Sequence, residues 1–192
     1  ADDDNGLLII DVTDPNNPRP IANFDTPGLA YAVTLQDNYL YLADHGEGFQ
    51  IIDISDPRLP KRISSVKTKG KVWAIQVQNE RAYIADDQNG IVIYAIDNKQ
   101  KPVELGHYKE NHAAEDIVVN GNRAYAAFFN GGVSVLDISQ ADRIRRLEKI
   151  HTPGASRAVH IENDRLWISD WQAGIQIYDI SNARHALRLG GY

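Results

Sequence analysis

The amino-acid sequence predicts an all-β fold, a β-propeller of four-stranded antiparallel blades, and three observations predict it. One aliphatic phrase recurs five times at a fixed spacing, each period holds four short strand-like segments, and helix has almost no room.

The phrase reads "GLLIIDV" from Gly6, "GFQIIDI" from Gly48, "GIVIYAI" from Gly90, "GVSVLDI" from Gly132 and "GIQIYDI" from Gly174, each start 42 residues after the last without an insertion. Four strands in a period of about 40 residues is the signature of a propeller blade. In the second full unit the four strands are "KVWAIQVQ", "RAYIAD", "IVIYAI" and "VELGHY", separated by "NE", "DQNG" and "DNKQKP", which have turn and loop composition. The stretch "QADRIRR" allows at most a single helical turn.

Blades cover one another on both faces, so their strands should carry consecutive apolar residues. Ile51 and Ile52, Ile93 and Tyr94, and Val135 and Leu136 are such pairs. Tyr41, Tyr83, Tyr125 and Trp167 repeat at the same spacing and read as packing between blades. The expected organisation is a single domain over 1–192, with a half blade at 1–24 and blades at about 25–68, 69–110, 111–152 and 153–192.

The opening "ADDDNGLLIID" aligns with "ADDQNGIVIYA" at Ala85, which makes Ala1 the end of a second strand. A five-bladed ring at this period needs about 18 residues more, the equivalents of Asp25 to Leu42, so the chain is expected to be a fragment of a ring of five or more blades. Leu7–Val12 is then expected to pair with another polypeptide segment, because a bare strand edge leaves N–H and C=O groups without partners. The run Asp2, Asp4, Gly6 superficially resembles a calcium loop, but Thr13 stands where the bidentate Glu should be; a turn between strands explains it better.

Composition narrows the function classes. The net charge of -6 argues against nucleic acid as partner, and the basic "RIRRLEKI" reads as a solvated strand edge. No apolar run reaches the length of a membrane helix. The absence of Cys removes thiolate nucleophiles and zinc–thiolate sites. No Gly-x-Ser-x-Gly or Ser-His-Asp arrangement supports a hydrolase of that kind.

"LLIIDVTDPNNP" and "FQIIDISDPRLP" resemble the LVIVD repeat, in which an aliphatic strand ends in Asp, Ser or Thr follows, and Asp-Pro turns the chain into the outer strand. Asp11, Asp53, Asp137 and Asp179 match the final Asp of the motif, and Ala95 departs from it. The resemblance implies a β-propeller, often in secreted or surface proteins, with no shared catalytic motif.

Function on this fold is expected where loops of several blades converge over the channel. There the repeat breaks in one blade. His112 stands where Gly28, Gly70 and Gly154 recur, Glu115 where Tyr31, Trp73 and Arg157 stand, Asp116 where Ala32, Ala74 and Ala158 stand, and Phe128 replaces Asp44, Asp86 and Asp170. The candidate ligand-binding residues are therefore Tyr31, Trp73, His112, Glu115, Asp116 and Arg157, gathered at the channel mouth, with His45 in a nearby turn. His160 is expected to line the channel or a blade face.

Two functions follow as expectations. The first is a non-enzymatic, extracellular or cell-surface (or periplasmic) propeller that recognises a protein or glycan and carries no cofactor. The alternative is a metal-dependent hydrolase or lactonase-like enzyme with calcium or another divalent cation in the channel, for which Asp44, Asp86 and Asp170 are the candidate ligands.

Overall fold

In the computed structural model, which describes residues 1–182 and 185–192, each 42-residue period folds as one antiparallel sheet. A two-stranded sheet comes first, β1 (Leu7–Asp11) and β2 (Arg19–Phe24). The first four-stranded sheet has β3 (Ala32–Gln36), β4 (Tyr39–Ala43), β5 (Phe49–Asp53) and β6 (Lys61–Val66). The second has β7 (Ala74–Gln78), β8 (Arg81–Ala85), β9 (Ile91–Ala95) and β10 (Val103–Tyr108). The third has β11 (Asp116–Asn120), β12 (Arg123–Ala127), β13 (Val133–Asp137) and β14 (Arg145–Ile150). The fourth has β15 (Ala158–Glu162), β16 (Arg165–Ser169), β17 (Ile175–Asp179) and β18 (Leu187–Gly191). Each is a meander in chain order, and the innermost strands β3, β7, β11 and β15 neighbour one another. The one helical element among the described residues is a 3-10 turn at Trp171–Ala173, which the sequence pattern did not suggest.

The consecutive apolar pairs divide between the two faces as the pleat requires. Ile52 joins Leu7, Leu40 and Leu42 against the half blade, while Ile51 joins Tyr41, Ile75 and Ile84 against the second blade. Across the next boundary Ile93 meets Leu136, and beyond it Val135 meets Ile168 and Tyr178. One apolar cluster therefore sits at each blade boundary, and each fully buried Ile or Leu contributes roughly 1.5–3 kcal/mol. Tyr41, Tyr83 and Tyr125 are buried there as expected.

Two further details recur every 42 residues. The third and outer strands pair through a bulge whose skipped residue is always aliphatic: Ile21, Ile63, Leu105, Leu147 and Leu189. The motif Asp closes the next turn: Asp11, Asp53, Asp137 and Asp179 accept the backbone N–H two residues on, at 2.8–3.0 Å. A second such bond follows three residues later, where Asp14, Asp56 and Asn98 accept the N–H of Asn16, Arg58 and Gln100 at 3.0–3.1 Å; the second blade, with Ala95, keeps this bond alone.

The end sheets each leave a face uncovered. Leu8, Ile10 and Val12 are 37%, 44% and 65% exposed, whereas Val92, Leu136 and Ile138 at equivalent places are buried. Ile175 is 46% exposed, whereas Phe49, Ile91 and Val133 are fully buried. Among the described residues, β1 has β2 as its only strand partner.

Candidate functional site

Two sets of loops meet on one face of the blades. The turn after each second strand forms a bridge with the entry to the next innermost strand: Asp3 with Ala30, His45 with Val72, Asp87 with Ala114, and Phe129 with Ser156. The following residue is fixed in each blade by the same backbone bond, from Tyr31, Trp73, Glu115 and Arg157 N–H to the carbonyls of Ala43, Ala85, Ala127 and Ser169, at 2.8–3.0 Å. Four equivalent side chains are thus presented at the mouth, each beside a turn residue.

These side chains form two stacked groups along one arc. In the first, the rings of Tyr31, His45 and Trp73 pack together at centroid separations of 4.8–5.1 Å. In the second, the Arg157 guanidinium lies 4.9 Å from the Phe129 ring and 4.3 Å from the Trp171 ring. Arg157 Nη1 also donates to Glu115 Oε2 at 3.2 Å. Tyr31 and Trp171 are 44% and 56% exposed, so both groups present ring surface to solvent.

The electrostatics of the arc follow from partial burial. Burial pushes the Glu115 carboxyl above its ordinary value; Arg157 opposes that rise and Asp87 adds to it. Burial, helped by Lys71, holds the His45 imidazole below its ordinary value, which favours the neutral ring at neutral pH. The Trp73 indole N–H is buried without an acceptor.

The backbone at the turn residue is itself unusual. Asp3, His45, Asp87, Phe129 and Trp171 all have positive φ, between 26° and 51°. Asp tolerates that region, but bulky aromatic residues there are rare and strained, and such strain concentrates at functional positions. Sequence reasoning missed Phe129 and Trp171 because the segment was read as turn chemistry alone. Aromatic residues where Asp recurs were the available signal.

The six residues expected to share one concave region are divided among three places. Tyr31, Trp73, Glu115 and Arg157 lie on the arc. Asp116 turns inward, accepting the Val159 N–H of the next blade at 2.9 Å and its own neighbour Ile117 N–H at 2.8 Å. Burial raises its pKa to about 6 against these hydrogen bonds and His160. His160 is exposed beside it. His112 faces outward, against Gly131 in a separate cleft.

Asp44, Asp86 and Asp170 are buried in three different blades, and each anchors a loop of its own blade. Asp86 accepts from Thr68 Oγ1 at 2.6 Å, Gly70 N–H at 3.1 Å and Asn89 Nδ2 at 2.7 Å. Asp44 accepts the Gly28 N–H and the Gln50 amide, and Asp170 accepts the Gly154 N–H. The glycines are required, since a Cβ at Gly70 would collide with the Asp86 carbonyl oxygen. Among the described residues, no three His, Asp or Glu side chains converge in an arrangement suited to a metal ion.

In the third blade this knot is rewired. Phe128 replaces the Asp, Glu110 the Thr, and His112 the Gly. The Glu110 carboxylate accepts from Ser134 Oγ at 2.5 Å, Tyr108 Oη at 2.8 Å, Arg146 Nη1 at 3.2 Å and Lys149 Nζ at 2.5 Å. Burial pushes its pKa up, but these donors outweigh burial and hold it at about 2. The Lys149 ammonium lies 5.2 Å from the Phe128 ring.

The sequence matches the LVIVD repeat at residues 1–26, 27–68, 69–110, 112–141 and 153–186. No protein of curated description matches it. A functionally unknown protein from Desulfotomaculum acetoxidans is structurally similar at TM-score 0.81 and 14% identity, over all of this chain and 65% of that one. The computationally designed Ika8 protein gives 0.72 at 12% identity, covering 91% of this chain and 53% of its own. The β-propeller domain of Cps50 (Swd1) from Myceliophteria thermophila gives 0.71 at 14% identity, covering 91% and 61%. The chain therefore spans about half to two thirds of these three structures, and at such identities the likeness shows the propeller fold.

Proposed function

This chain belongs to the LVIVD-repeat family, and on that footing we propose that it is a non-enzymatic recognition propeller, acting outside the cell or at its surface, that binds a glycan at the channel mouth. The observation that carries this reading is the arc itself. Tyr31 and Trp171 are exposed, their neighbours hold them in place, and hydrogen-bonding groups on Glu115, Arg157 and Asp87 lie alongside. Fixed aromatic surface with a few placed polar groups is how proteins take a ligand that has an apolar face and a polar rim, as a sugar ring does. Another polypeptide segment pairs with the open edge of β1 over Leu7–Val12 to complete the ring.

The test is calorimetry and tryptophan emission against a panel of neutral oligosaccharides. Saturable binding that Tyr31→Ala with Trp171→Ala weakens at least tenfold supports the glycan reading. Capture of a protein by the same face, lost in the same double variant and with no oligosaccharide bound, replaces the glycan by a protein. Binding unaffected by the double variant refutes the site.

A further inference from the structure

The same face carries a second feature, farther from the channel, that shares Asp87 with the mouth and is otherwise distinct from it. Two open clefts of about 650 Å³ each lie at successive blade boundaries, and Lys109 lines both. One is lined by Lys67, Lys69 and Lys71 with Asp87, Gln88 and Asn89. The other is lined by Arg146, Lys149, His112 and His151 with Glu110, Asn111 and Asn130. Six Lys or Arg and two His thus gather along one groove of a chain whose net charge is -6.

The cations are only partly compensated. Glu110 alone serves both Arg146 and Lys149, and Glu47 serves Lys67. Lys69, Lys71 and Lys109 take part in no ion pair among the described residues. The second cleft is also a built feature. Glu110, His112, Phe128 and Lys149 stand where the other complete blades carry Thr, Gly, Asp and Ser, His or Gly, and together they set two cations side by side.

We propose that this groove binds an acidic polysaccharide, its carboxylates or sulfates on the Lys and Arg side chains and its hydroxyls on the amides and carboxylates between them. Neither cleft is lined by an aliphatic side chain, so the groove offers no apolar pocket of the kind that anchors a protein partner. Tyr108 is the only large ring lining either cleft besides the two imidazoles, so nucleic-acid bases would find little to stack on. Amides and carboxylates interleaved with cations suit a chain that carries hydroxyls and anions together.

The experiment measures binding of the full chain to polygalacturonate, dextran sulfate, neutral dextran and a single-stranded DNA oligomer over a range of NaCl. Binding to either acidic polysaccharide, falling as salt shortens the screening length and absent for neutral dextran, is expected. The polymer preferred tells carboxylate from sulfate. Lys69→Glu with Lys109→Glu should weaken it about tenfold, while Lys101→Glu with Arg143→Glu, the same charge change outside the clefts, should leave it unchanged. Tyr31→Ala with Trp171→Ala should also leave it unchanged, which separates this groove from the mouth. Equal loss in both charge-reversed variants, tighter binding to the DNA oligomer, or no binding to either acidic polymer overturns the proposal.

Discussion

Asp116→Ala restores the alanine that Ala32, Ala74 and Ala158 carry at the same position, and its effect on stability should change sign with pH. In the folded chain burial raises the Asp116 carboxyl to about 6, against an ordinary 3.8. An acid with a raised folded pKa binds its proton more tightly when folded, so stability falls as pH rises from about 4 to 6 and the full penalty is present above that range. The two values differ by an amount worth about 3 kcal/mol. Alanine removes this penalty but also the hydrogen bonds to Val159 and Ile117, worth about 0.5–1.5 kcal/mol each. The variant should therefore be less stable than the native chain by about 0.5–2.5 kcal/mol near pH 4 and more stable by up to about 2 kcal/mol at pH 7.5, a swing of about 2.5 kcal/mol in its favour. Urea unfolding of both chains at pH 4, 5, 6 and 7.5, followed by tryptophan emission, measures it. A difference that stays constant across this range would refute the claim that Asp116 is desolvated between β11 and β15.

Other perturbations test other parts of the structure. Glu110→Thr leaves the mostly buried Lys149 without its carboxylate and should cost about 3 kcal/mol; adding Phe128→Asp, Ser134→Gln and Lys149→Ser, which rebuilds the Asp44, Gln50 and Ser65 hydrogen bonds beside Thr26, should recover most of it in urea unfolding. Because the Glu110 pKa lies at about 2, below its ordinary 4.5, its support is present above 4.5 and is lost as pH falls toward 2, so Glu110→Gln should flatten acid unfolding in that window. Gly70→Ala forces a methyl against the Asp86 carbonyl and should lower stability by about 1–3 kcal/mol, read as a fall in Tm. If another segment pairs with Leu7–Val12 in the assembled protein, amides there should exchange as slowly as those of Gln50–Ile54; fast exchange refutes that pairing.

The architecture was legible because each 42-residue unit repeats the same local physics. The aliphatic pair, the closing Asp and the turn composition all point to one blade; four of the five copies carry the closing Asp followed two residues on by Ser or Thr, and two also carry the Asp-Pro turn. The bulges at Ile21, Ile63, Leu105, Leu147 and Leu189 were not legible, since an aliphatic residue on an outer strand reads alike whether it pairs or is skipped. The broken unit was legible as a place but not as a geometry. His112 precedes the bridge at Ala114, Glu115 follows it and Asp116 opens β11, so the chain aims the three side chains differently. Glu110 went unremarked because its role depends on Lys149 and Arg146, which lie 39 and 36 residues away. Phe129 and Trp171 were hidden by the glycine-rich turns around them, whose composition explains the fold without asking why an aromatic residue takes positive φ.

The central claim is that recognition occurs at the mouth where the turns and the strand entries meet. Peptide-resolved hydrogen exchange of the full chain, with and without the tightest-binding oligosaccharide of the panel, tests it most directly. The account predicts slowed exchange around Tyr31, His45, Trp73, Glu115, Phe129, Arg157 and Trp171. Slowed exchange instead at the opposite turns, Asp37–Asn38, Asn79–Glu80, Gly121–Asn122 and Asn163–Asp164, would contradict it.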